Sequence, residues 1–271
     1  MHSIIRFYHL LNTLSLDIVS GAVISALFFA KIFQVSIRPY GLISLGLTVW
    51  IIYTIDHLRD AKNISHQASS ERHQFHQRNF RILTIGVGLA LLLDVLTIFF
   101  IRKQILEWGL ILFGVVVLYL IGQRSLRFAK EAFIACLYSC GVLLPSLALT
   151  EIHLDPSHYL LITQFGIIAW INLLMFSWFD HASDQQDNQN SFVTIFGKSA
   201  TQISLIALVV LNFCLAAIQA SVYGTTLPVF ILLLMNTTLL MVFLFRNRLA
   251  KNDLYRLLGD AVFLLPVLFL L

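Results

Sequence analysis

The sequence predicts an all-α, polytopic membrane protein with nine transmembrane helices, and three observations carry that reading. Of the 271 residues, 58% are hydrophobic and only 12% are charged. The mean hydropathy is +0.84. Apolar runs recur along the whole chain at about twenty residues each, the length that crosses a hydrocarbon core roughly 30 Å thick at about 1.5 Å per residue. A water-soluble core of this size could not hide so much apolar surface, so the lipid bilayer is the expected solvent.

The first run, 14–35, is too long for the core of a cleavable signal peptide and lacks a small-residue cleavage site behind it, so it reads as a retained helix. The second, 40–58, follows Pro39 and runs into a charged stretch. The third and fourth, 80–101 and 105–122, are parted by Arg102 and Lys103. The fifth and sixth, 131–150 and 157–181, are parted by a segment ending in Asp155 and Pro156. The seventh, 199–223, follows a polar stretch. The eighth, 226–245, opens around Pro228, and the ninth, 254–270, follows Arg246, Arg248 and Lys251. No linker or shift in composition divides the chain, so residues 1–271 are expected to form one domain. Only two connections are long and polar, 56–79 and 180–199.

With nine crossings, the N-terminus and both polar connections fall on one side. That side carries fourteen of the eighteen Lys and Arg, among them Arg6, Arg59, Lys62, Arg72, Arg124, Arg127, Lys130 and Lys198. The other side carries Lys31, Arg38, Arg102 and Lys103. This asymmetry predicts a cytoplasmic N-terminus and a C-terminus on the opposite side. The expected location is the cell membrane of a bacterium. The net charge of +4 therefore speaks of orientation, and no nucleic-acid partner is expected. Cys136, Cys140 and Cys214 lie in apolar runs and read as buried thiols rather than a disulfide framework.

The chemistry concentrates at the cytoplasmic ends of the second and sixth helices. Both carry Asp-His-x-x-Asp: Asp56-His57-Leu58-Arg59-Asp60 and Asp180-His181-Ala182-Ser183-Asp184. The i, i+4 spacing puts each pair of carboxylates on one helix face. Like charges at that spacing repel, and the C-terminal end of the helix macrodipole disfavours them further. Two such pairs on one side of the membrane therefore call for a cation. Magnesium suits them, since it takes oxygen ligands and is commonly held by one or two carboxylates together with substrate phosphates. Ions held there could clamp a diphosphate and neutralise charge as it leaves. Arg72 and Lys130 are the preferred direct donors to such a group.

These residues resemble the UbiA superfamily of intramembrane prenyltransferases, nine-helix proteins with aspartate-rich motifs after helices two and six. The second motif matches better: Asp180 and Asp184 are followed by Ser191-Phe192-Val193-Thr194-Ile195-Phe196-Gly197 at the family's spacing, with Asn188 where Gly is usual. In the first motif Asp56 and Asp60 align with the later aspartates, while Ile52-Tyr53 stand in place of the leading Asn-Asp. Arg72-His73 correspond to an Arg-Pro-like element. The resemblance implies a central cavity opening near the cytoplasmic face. In it, Asp56, Asp60, Asp180 and Asp184 would bind magnesium and the diphosphate of an isoprenyl donor, for transfer to a lipophilic, aromatic or isoprenoid, acceptor. The altered first motif leaves intramolecular terpene cyclisation, or loss of catalysis, as alternatives.

A dry pocket with aromatic faces would shelter an allylic cation, and Tyr53, Tyr138, Phe176 and Phe179 sit near the right helix ends. Asn172, eight residues before Asp180, should point into the bundle on a similar face. Asp17, Asp94 and Asp260 are acids inside apolar runs and candidates on that ground, Asp17 for the cavity and Asp260 as an i, i+4 partner of Arg256. Two other classes compete. A histidine-metal membrane enzyme would use His57, His66, His73, His76 and His181, although no compact ligand motif joins them. A transporter would use Asp17, Asp94 and Asp260 as an ion path, although matched Gly or Pro breaks in the two halves are missing.

Overall fold

In lipid a backbone can satisfy its polar groups only internally, and this chain does so with helices; among the described residues there is no strand. The structure, a computed structural model, describes residues 2–122, 129–187, 189–224 and 226–271, and for residues 2–6 the backbone alone. The side chain of Arg6, together with Arg124, Arg127 and Asn188, lies outside the described residues.

Two short helices joined at an angle open the chain, α1 (His2–Thr13) and α2 (Leu16–Ile32). Then come α3 (Pro39–Asn63), α4 (Glu71–Arg78), α5 (Phe80–Ile98), α6 (Lys103–Gly122) and α7 (Lys130–Leu149). The second half holds α8 (Pro156–Gln186), α9 (Phe192–Tyr223), α10 (Leu227–Leu244), α11 (Arg246–Leu249), α12 (Leu254–Ala261) and α13 (Val267–Leu270). Seven of these, α3 and α5 to α10, are long and apolar enough to cross a membrane. The pair α1 and α2 makes an eighth if the bent pair counts as one span.

Three differences from the expected nine have local causes. Ser15 adopts a left-handed backbone (φ 57°), and the chain turns by 76° there, so α1 departs from the axis of α2 instead of extending it. The expected ninth span, 254–270, is broken into α12, a 3-10 turn at Val262–Leu264, and α13. Pro266 has no N–H to donate, and its ring crowds the preceding turn. This broken run nonetheless follows α2 lengthwise, from Asp260 beside Asn12 to Phe269, whose carbonyl accepts from Lys31 Nζ at 2.6 Å. Finally, α3 runs on to Asn63 and α8 to Gln186, beyond their apolar runs, so both Asp-His-x-x-Asp motifs are helical as their spacing implies, and a further helix, α4, forms between α3 and α5.

Helix starts are fixed by residues suited to them. Asp155 accepts from the His158 N–H at 3.2 Å ahead of Pro156, and Pro39 opens α3 where a missing N–H costs nothing. At the head of α9 the Ser191 N–H donates to Thr194 Oγ1 at 2.9 Å. The interior is organised around α8, whose Phe165, Ile168, Ile171, Leu174 and Met175 are fully enclosed. Phe29 of α2 meets Phe165 edge-on at 5.2 Å between ring centres. Helices α5 and α6 turn most of their Leu, Ile and Phe outward. The cysteines correct the sequence reading: Cys136, Cys140 and Cys214 are all exposed, because an apolar run in a membrane protein faces lipid as readily as it faces a core.

Candidate active site

The helices enclose a cavity of about 1160 Å³. It follows α3 from Gly41 to Asp60, which is about 28 Å of helix. One end is polar and lined by the carboxylates of both motifs. The body is mostly apolar, walled by residues such as Leu45, Val49, Leu112 and Phe113.

All four motif aspartates line the polar end, each pair one turn apart on its helix, as the i, i+4 spacing predicts. Their surroundings differ sharply. Asp56 Oδ1 is buried and accepts no hydrogen bond, an arrangement that suits a bound cation. Both oxygens of Asp180 are already engaged. Tyr255 Oη donates to Oδ1 at 2.5 Å, and Arg256 donates a charge-assisted bond to Oδ2. Asp184 is half-buried on the cavity wall one turn beyond. Lys130, the first residue of α7, stands near Asp56 and Asp60 without closing to an ion pair among the described residues.

Arg72 reaches the cavity from α4 and not from an irregular loop. It is held on three sides: one nitrogen donates to His57 Nε2 at 3.0 Å, the other to the Asn12 carbonyl at 3.1 Å and Asn12 Oδ1 at 3.0 Å. Because a guanidinium only donates, His57 Nε2 carries no proton here. Burial lowers the Arg72 pKa to about 10, which leaves it a cation at neutral pH. Burial also lowers His76 to about 4, and its Nδ1–H donates to the Arg72 carbonyl at 2.8 Å. His73 is lowered by burial and then by the charges of Arg256 and Arg72.

The other expected site residues divide. Tyr53, Tyr138 and Asn172 line the cavity. The Tyr138 hydroxyl and Asn172 Oδ1 are buried without partners and so remain available to a ligand. Phe179 stacks on Tyr255 with ring centres 4.0 Å apart, which steadies the phenol that grips Asp180. Asp17, by contrast, is not on the cavity wall. It is buried behind Asn12, whose Nδ2 donates to Asp17 at 2.5 Å and to Asp260 at 2.7 Å. The turn at Ser15 brings Asn12 back between Asp17 and the cavity. Asp260 therefore joins Asn12, and the expected Arg256–Asp260 pair gives way to the ion pair of Arg256 with Asp180.

Sequence reasoning missed Arg256, Tyr255 and Asn12 as members of the site. The available signal was Arg256 itself, a cation at the head of an apolar run that must find a buried partner. It missed Asp187 too, which ties the two polar connections together. That carboxylate accepts from the Ser69 N–H at 3.2 Å and Ser69 Oγ at 2.8 Å, with His66 Nε2 at 3.3 Å. Asp94 also has a local role: it accepts from Ser44 Oγ at 2.6 Å and Thr48 Oγ1 at 3.1 Å, joining α5 to α3 about 12 Å along α3 from Asp56. Among the described residues no three His, Cys, Asp or Glu side chains converge to hold a metal by themselves. A magnesium ion here would need substrate oxygens to complete its ligands.

No protein-family model matches the sequence, and no curated protein matches it. Among solved structures the fold is that of a UbiA homologue from Archaeoglobus fulgidus. The form bound to DMAPP and Mg2+ aligns with a TM-score of 0.66 at 14% identity, covering 95% of this chain and 96% of that one. The form bound to GPP and Mg2+ aligns with a TM-score of 0.65 at 15% identity over the same shares.

Proposed function

We propose that this chain is a UbiA-type intramembrane prenyltransferase. It would take an isoprenyl diphosphate, with magnesium, and pass the prenyl group to a lipophilic acceptor, aromatic or isoprenoid, dissolved in the bilayer. The observation that carries the reading is the single cavity that joins four aspartates and the cations Arg72, Lys130 and Arg256 at one end to a long apolar body. A ligand matching it is highly anionic at one end and hydrocarbon along the rest. The solved neighbours of this fold bind DMAPP and GPP, which are of that kind.

In the reaction the C1–O bond of the allylic diphosphate breaks and its electron pair leaves on the diphosphate. The acceptor then bonds to C1 and gives up a proton. Asp56 and Asp60 would hold magnesium, facing the second-motif carboxylates across the polar end, and the ion would supply positive charge to the departing diphosphate. The chain's own residues do the rest. Arg72, fixed by His57 and Asn12, and Lys130 hold phosphate oxygens at the polar end. Tyr53 and Tyr138, on the cavity wall, would offer aromatic rings to the cationic carbon. The apolar wall excludes water that would otherwise capture it. On the charge asymmetry of the connections, the polar end faces the cytoplasm, with the N-terminus inside and the C-terminus outside a bacterial cell membrane.

The test is magnesium-dependent diphosphate release by the purified protein from dimethylallyl, geranyl, farnesyl and geranylgeranyl diphosphates, with Asp56→Asn as control and analysis of the organic products. Release that vanishes in the variant, together with an acceptor adduct, is the expected result. A cyclised hydrocarbon in place of an adduct would assign the chain as a cyclase. No release from any donor, with or without quinone and phenolic acceptors, would overturn the reading.

A further inference from the structure

The two sides of the polar end are not equivalent. On α3, Asp56 keeps an orphaned oxygen, and Asp60 lies one turn away. The turn before them offers Ile52 and Tyr53, which bring no further carboxylate. On α8, each oxygen of Asp180 already accepts a hydrogen bond, Oδ1 from Tyr255 and Oδ2 from the cationic Arg256. Nor is Arg256 a surface cation that happened to swing inward. Its guanidinium lies over the Phe176 ring at 4.9 Å and near the Tyr255 ring at 5.8 Å, so flat faces orient it. The segment carrying it is set tightly on α8, where Gly259 leaves no room for a Cβ beside Phe176 and Asn172. Arg256 also lines the cavity, so a ligand can reach it.

We infer that Arg256 replaces a divalent ion on the α8 side, so that the diphosphate is bound by a single metal ion on Asp56 and Asp60 and, opposite it, by the guanidinium that Asp180 and Tyr255 hold in place. The inference rests on the isoprenyl diphosphate reading above. A guanidinium suits this exchange because it cannot lose its charge and offers paired N–H donors to phosphate oxygens. Asp180 is then a positioning residue for Arg256 rather than a metal ligand.

The experiment counts ions. Protein in lipid nanodiscs is titrated with Mn2+ in the presence of dimethylallyl S-thiolodiphosphate, an unreactive analogue, and bound Mn2+ is measured by electron paramagnetic resonance. The wild type should bind one analogue-dependent ion per chain. Asp56→Asn should lose it, and Asp180→Asn should keep it. Arg256→Gln frees Asp180 beside Asp184 and should admit a second ion. Arg256→Lys, which preserves the charge and guards against a folding defect in the glutamine variant, should stay at one. Two ions in the wild type, loss of the ion in Asp180→Asn, or a count of one in folded Arg256→Gln would each overturn the inference while leaving the diphosphate reading intact. Failure of the wild type to bind the analogue at any metal concentration would overturn the diphosphate reading itself, and the ion count with it.

Discussion

Adding one methyl group at Gly259 should disturb the polar end of the cavity without touching any charged group. A Cβ at this position would lie 2.6 Å from Phe176 Cε1, 2.7 Å from Asn172 Oδ1 and 2.8 Å from Phe176 Cζ. Ordinary carbon contacts begin near about 3.5 Å. Helix α12 must therefore back away from α8 by roughly 1 Å, or Phe176 must leave its rotamer, and overpacking of this kind costs about 1–3 kcal/mol. Tyr255 and Arg256 sit four and three residues earlier, on the same face of the helix. A shift of that size carries the Tyr255 bond to Asp180 from 2.5 Å to about 3.5 Å, the edge of hydrogen bonding. Gly259→Ala should lower the thermal unfolding midpoint in nanodiscs by several degrees and weaken binding of the thiolodiphosphate analogue. Phe176→Leu removes the ring edge that the methyl group strikes, so in the double variant the two losses should sum to less than their separate values, with a coupling of about 1 kcal/mol or more. Wild-type stability and analogue affinity in Gly259→Ala would refute the close packing of α12 on α8, and with it the account of how Arg256 is held.

Three further outcomes follow from neighbouring groups. Asp187→Asn removes the charge that gathers Ser69 and His66, should cost about 1–3 kcal/mol, and should speed amide exchange at Ser69; unchanged exchange there would remove its clasp role. Asp94→Leu leaves the Ser44 and Thr48 hydroxyls without their acceptor and should destabilise the protein by about 1 kcal/mol, whereas Asp94→Asn keeps an acceptor and should cost less, a ranking that unfolding in nanodiscs can check. The buried His76 supplies a pH dependence: its folded pKa of about 4 lies below the ordinary 6.5, so between those values the unfolded chain binds the proton and the folded chain does not. Its contribution is complete above about pH 6.5 and declines as pH falls towards 4, by up to about 3 kcal/mol, and His76→Gln should flatten that part of a stability–pH curve.

The helices were legible where lipid imposes one requirement, an apolar run of spanning length. They were less legible where that requirement ends. The last turns of α3 and α8 are polar because they stand in the site rather than in the bilayer, and polarity alone reads as a connection. α4 was invisible for the same reason, since Glu71–Arg78 carries almost no apolar pattern and owes its start to Ser70, which accepts from the His73 N–H at 3.2 Å. The cysteines show the converse limit. Hydropathy reports transfer out of water and says nothing about which side of a helix meets lipid and which meets protein.

The aspartate pairs could be found because their spacing is local: four residues along a helix fix a shared face. Arg256 could not be placed the same way. Its nearest candidate partner in sequence was Asp260, and local reasoning pairs them. The structure instead gives Arg256 to Asp180, 76 positions away, and Asp260 to Asn12, 248 positions away. Burial drives this exchange. An i, i+4 pair on the surface is worth only a few tenths of a kcal/mol, whereas an unpaired ion inside a membrane protein costs several, so each charge goes to whichever partner the tertiary fold encloses with it. The same exchange ties α1 and α12 to the polar end, Asn12 from one side and Tyr255 with Arg256 from the other. Asn12 thereby fixes Arg72, and Tyr255 with Arg256 engages Asp180, while Asp56 Oδ1 stays free to meet a cation.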